Sequence, residues 1–132
     1  MKKIFFGVLA ALCFAGSASA GNLVLRAENV DDRVDIYYNG AHQASCTWSQ
    51  NPGCHAGVEG QANGIIEVRF KLTNYVYTGI CFSGGCGKYA GDFYIEHNGR
   101  IIWSDSIGRR NNTEGVKYDV TVTCDLNTNR CY

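Results

Sequence analysis

The sequence predicts an all-β fold: an antiparallel β-sandwich of about seven to eight strands with disulfide-braced loops. Three observations carry this. Short stretches alternate apolar and polar residues with the two-residue period of a strand. Two Asn-Gly pairs, at 39–40 and 98–99, sit between such stretches, and a type I′ hairpin turn needs positive φ at both of its central residues. After residue 20 no segment sustains a helical repeat, while fourteen glycines and one proline punctuate that part of the chain.

Taken in order, residues 1–20 read as a signal peptide. Lys2 and Lys3 form a positive start, residues 4–14 an apolar run, and Ala18-Ser19-Ala20 a cleavage site that leaves Gly21 as the first mature residue. The run is shorter than the roughly 20 residues a membrane-spanning helix needs. Cys13 follows the bulky Leu12, which does not suit lipoprotein processing. No second long apolar stretch follows, so a soluble periplasmic or secreted product with no membrane anchor is expected from residues 21–132, as one domain. Removing Lys2 and Lys3 takes the 12 basic residues to 10 against 12 acidic ones, a net charge of −2. That balance argues against nucleic acid or an anionic membrane as the target.

Residues 22–28 (NLVLRAE) read as a strand with Leu23 and Leu25 on one face. Residues 33–38 (RVDIYY) alternate, with Val34, Ile36 and Tyr38 inward and Arg33, Asp35 and Tyr37 outward. Asn39-Gly40 turns this strand into residues 41–47. Residues 48–63 are polar and glycine-rich and read as a loop. Residues 64–72 (GIIEVRFKL) are the clearest strand, with Ile66, Val68, Phe70 and Leu72 inward. Residues 73–91 read as a long loop, and structureless loops of that length are often functional. Residues 92–97, Asn98-Gly99 and residues 100–104 form the second hairpin, in which Trp103 is expected in the core. A polar loop is expected over 105–115 and a last strand over 116–124.

Six cysteines remain after residue 20: Cys46, Cys54, Cys81, Cys86, Cys124 and Cys131. They admit more pairings than sequence can choose among, but they fall into three close couples, each bracketing a loop. Sequential pairing is favoured, each short closure being worth roughly 2–3 kcal/mol in the chain-entropy model. A metal site using these thiols with His42 or His55 is the rival reading. No C-x-x-C pair occurs, and an exported chain favours disulfides.

The succession VDDRVDIYYNG, ANGIIEVRFKLTN and AGDFYIEHNGRIIW resembles the galactose-binding-like jelly-roll sandwiches that accompany many bacterial glycosidases. The likeness spans residues 24–104 and implies a jelly-roll arrangement. The chain departs from it in its six cysteines and in the wording before Ile65. Fold alone does not give function.

No nucleophile–base or paired-carboxylate motif is present, so no catalytic residue is assigned and a non-enzymatic role is expected. His97 beside its turn reads as solvated, and His55 as a loop residue. No cofactor is implied. Asp31, Asp32 and Asp35 form the one acidic cluster, a weak calcium candidate; a solvated turn, with Asp35 paired to Arg33 or Lys71, explains it as well. The aromatics of the two long loops are more pointed: Trp48, Tyr75, Tyr77, Phe82 and Tyr89, with Lys88 as the adjacent cation. Exposed rings beside amides suit protein contacts or stacking on a sugar, and edge packing is the plain alternative. Two functions follow: an exported domain that binds another protein, of inhibitor or immunity type, or a small carbohydrate-binding module.

Overall fold

The computed structural model describes residues 21–50, 53–75, 88–110 and 113–132. The described residues form nine strands and no helix: β1 (Gly21–Asp31), β2 (Arg33–Tyr38), β3 (Ala41–Thr47), β4 (Gly53–Ala62), β5 (Ile65–Asn74), β6 (Lys88–His97), β7 (Arg100–Arg110), β8 (Gly115–Asp125) and β9 (Arg130–Cys131). They form two antiparallel sheets, ordered β4-β1-β6-β7 and β3-β2-β5-β8-β9, which face one another as a sandwich. The predicted class therefore holds.

The period of two dictates the core. Ile66, Val68, Phe70 and Leu72 of β5 are buried, as are Val34 and Ile36 of β2 and Leu23, Leu25 and Ala27 of β1. Phe70 packs on Phe93 with centroids 5.3 Å apart and stacks on Trp103 at 5.6 Å, so aromatic rings from both sheets join at the centre. Trp103 itself is only partly buried, because β7 is the outer strand of its sheet.

Four expectations need correction. Residues 53–62 are a strand: β4 pairs with β1, and its glycine-rich wording reflects close approach rather than a loop. At Gly53 a side chain would collide with the Ala27 carbonyl oxygen. Residues 105–110 continue β7, their polar character matching an exposed sheet edge. Residues 88–91 belong to β6, whose inward positions run Tyr89, Gly91, Phe93, Ile95 and His97. His97 is thus buried rather than solvated, its Nδ1 2.6 Å from Asn129 Oδ1.

The two Asn-Gly turns form as predicted, with φ of 46° and 82° at Asn39-Gly40 and 52° and 77° at Asn98-Gly99. They share a further device. The Asn39 amide donates to the Glu67 carbonyl while Asn39 Oδ1 accepts from the Glu67 amide, both at 2.8 Å. Asn98 repeats this with Asn22 at 2.9 and 3.0 Å. Each asparagine so extends its sheet by one more pair onto a neighbouring strand.

Cys46–Cys54 and Cys124–Cys131 are disulfides, with Cα atoms 5.4 and 4.0 Å apart, as the sequential pairing predicts. Both agree with an oxidising compartment. The Cys81–Cys86 couple lies outside the described residues. Cys46–Cys54 joins β3 to β4, and so ties together the edge strands of the two sheets on one side.

Candidate functional site

Strand direction sorts the connections by end. The Asn-Gly turns, Asn63-Gly64 and the Asn127–Asn129 turn close one end of the sandwich. At the other end lie the β1–β2 corner and the connections β3–β4, β5–β6 and β7–β8. Trp48, Tyr75 and Lys88, read from different segments of the sequence, are therefore brought to one end. Tyr77 and Phe82 lie outside the described residues. Tyr89 is removed from the candidate surface: it is on the inner face of β6 and 6% exposed.

Trp48 is presented rather than packed. Gln50 donates its amide to the Thr47 carbonyl at 3.0 Å, closing a turn, and its side-chain Oε1 accepts the Thr47 amide at 2.7 Å. The turn starts one residue after Cys46, so the disulfide anchors its base. The indole stands 67% exposed, which leaves it available for contact.

Asp32 ties the two aromatics together. Its backbone carbonyl accepts the Trp48 amide at 3.0 Å, and its carboxylate accepts the Tyr75 amide at 2.6 Å. Asp32, Arg33, Thr47, Trp48 and Tyr75 line a shallow cleft of about 240 Å³. Sequence reading considered Asp32 as a calcium ligand or a solvated turn residue, not as the attachment point of two aromatics. An acceptor role for a backbone carbonyl leaves no trace in residue type.

The acidic trio does not converge. Among the described residues no group of His, Cys, Asp and Glu is arranged to hold a metal ion. Asp35 lies on the outer face of β2, where Arg33 donates to it at 2.9 and 3.0 Å and Ser45 at 2.6 Å. Burial alone would raise its pKa, but Ser45, Arg33 and His42 outweigh that and hold it below the usual carboxylate range. Asp31, by contrast, is pushed up to about 6, first by burial, then by its hydrogen bond to Asp32 and that neighbour's charge; Lys88 pulls it partly back.

Around Asp35 sits a Ser–His–Asp grouping that sequence reading did not single out. His42 Nε2 is 2.9 Å from Ser45 Oγ and 3.4 Å from Asp35 Oδ1. Its wiring is wrong for a nucleophile. Ser45 gives its proton to Asp35, so its oxygen accepts from His42 Nε2–H, and His42 cannot serve as the serine's base. The carboxylate also meets the same imidazole nitrogen as the serine, instead of orienting the far one. The grouping braces β2 against β3.

On the same outer face, Arg69 makes a two-point pair with Asp119 at 2.7 Å and lies 5.3 Å from the Tyr37 ring centroid. Arg69 and Tyr37 rim a second shallow hollow of about 260 Å³ with Gly40, Glu67 and Thr121. Its Arg69 is already paired with Asp119.

Comparison with protein-family descriptions, with curated proteins and with solved structures finds no match to this chain.

Proposed function

We propose that the chain is exported and acts as a non-enzymatic recognition domain, binding another protein through the end of the sandwich that carries Trp48 and Tyr75. The observation that carries this is the joint suspension of both aromatics from Asp32 beside a disulfide-anchored turn. An exposed indole held by a rigid turn loses little freedom on binding, and Trp, Tyr and Arg together are the residue types that dominate protein interfaces. At about 240 Å³ the cleft falls below the roughly 300–1,000 Å³ typical of small-molecule sites, which favours a macromolecular surface. Export is supported by residues 1–20 and by disulfides that suit an oxidising compartment.

The carbohydrate-binding alternative rests on the exposed Trp48 ring beside polar Asp32, Arg33 and Thr47, and on the likeness to galactose-binding-like modules. One comparison separates the two. Immobilised protein incubated with envelope extract should retain a discrete protein that Trp48→Ala fails to retain. Retention of the domain on a polysaccharide column, lost with Trp48→Ala and without any protein partner, would favour the glycan reading instead.

A further inference from the structure

Charge is unevenly spread over the long-loop end. Residues 21–132 carry ten cations, and four of them, Lys88, Arg109, Arg110 and Lys117, fall at one corner of it. Strand register sets Lys88 directly opposite Arg110 and Tyr89 opposite Arg109. Three arginines elsewhere are neutralised on their strand faces: Arg26 lies 3.1 Å from Glu96, Arg33 2.9 Å from Asp35, and Arg69 2.7 Å from Asp119. Among the described residues no ion pair holds Lys88, Arg109 or Lys117, and Lys88 and Arg109 are exposed. Lys117 completes the corner, its Nζ bonded to Thr113 Oγ1 and 6.0 Å from the Tyr89 ring centroid. Asp31 faces Lys88 from β1, Asp32 follows it at the rim of the Trp48 cleft, and Glu114 sits in the β7–β8 connection; four cations outnumber these three acids.

We infer that the partner presents an acidic polypeptide segment whose carboxylates meet Lys88, Arg109 and Lys117 while its apolar side chains meet Trp48 and Tyr75. The inference rests on the recognition reading above and adds the partner's chemistry. Charge complementarity argues for the acidic groups, since unpaired exposed cations gain a counter-charge on binding and speed encounter. The indole and phenol at the same end argue for a peptide, long enough to reach from the cations to a shallow aromatic cleft that its apolar side chains fill and charge alone would leave wet.

A labelled peptide of alternating glutamate and leucine, titrated into the disulfide-bonded protein and followed by anisotropy, tests this. Binding should weaken at least ~10-fold between 50 and 300 mM salt, as screening shortens the reach of the charges. Lys88→Gln with Arg109→Gln should weaken it at least ~10-fold at low salt, and the single Arg109→Gln should follow in part. Arg100→Gln removes an exposed cation from the opposite end and should change affinity less than about twofold. An unchanged affinity in the double variant, an equal loss in Arg100→Gln, or binding of dextran sulfate with no binding of the peptide overturns the inference. Loss with Trp48→Ala alongside an unaffected Lys88→Gln/Arg109→Gln variant would overturn the acidic partner and leave the recognition site standing. Indifference to all of these substitutions would overturn both. Melting curves of each variant separate lost binding from lost fold.

Discussion

Single residues at the long-loop end divide into those that hold the fold and those that face outward. Tyr89 and Trp48 mark the contrast, one 6% and the other 67% exposed. Tyr89→Ala should cost about 3 kcal/mol of stability, while Trp48→Ala should change the denaturation midpoint little. Chemical denaturation of the two variants checks this directly. Asp31 makes a pH prediction. Its folded pKa of about 6 lies above its ordinary 3.8, so the native state binds the proton more tightly than the unfolded chain does. Its contribution to stability is then full below about pH 4 and falls away as pH rises towards 6. Asp35 and Asp119 are depressed, so theirs is present above about pH 4 and lost as pH falls below it. Stability should thus peak between these windows, and Asp31→Asn should flatten the decline from pH 4 to 6. Urea midpoints at pH 4.5 and 7 that fall equally in parent and variant would show that Asp31 is not the cause.

At the scale of elements, strands were legible where one face is buried and one is wet. β2, β5 and the middle of β6 write that contrast as alternation, and β3 followed from its Asn-Gly turn. β4 and the far half of β7 did not announce themselves, because outer strands have less apolar surface to cover and can be built from glycine and polar residues. Tyr89 was misread for a related reason: Gly87 and Gly91 flank it, and glycine hides the period that continues to His97. Trp48 and Tyr75 were legible as aromatics outside the alternating runs, whereas their common attachment to Asp32 depends on where two backbone groups arrive in space. The turns were the most readable feature, and they yield a prediction. Gly40→Val and Gly99→Val each force a β-branched residue to a φ near +80° and should cost more than about 1 kcal/mol, read as a lower melting temperature. The same change at Gly108, whose φ is not positive and where an added side chain meets open space, should cost less.

For the whole molecule, the decisive feature is the asymmetry between its ends. One is closed by asparagine turns that reach across to neighbouring strands. The other gathers an exposed tryptophan, a half-buried tyrosine and the cations Lys88, Arg109 and Lys117, which no ion pair holds among the described residues. Two packed sheets and a disulfide tying their edges make a rigid base for that surface. The claim that this end is where recognition occurs can be read in one measurement. A photo-crosslinking amino acid is placed at position 48 in one variant and at position 98, on the asparagine-turn end, in another. Each is irradiated in envelope extract under otherwise identical conditions. The account predicts a discrete protein adduct from position 48 and none from position 98; an adduct from position 98 with none from position 48 would contradict it.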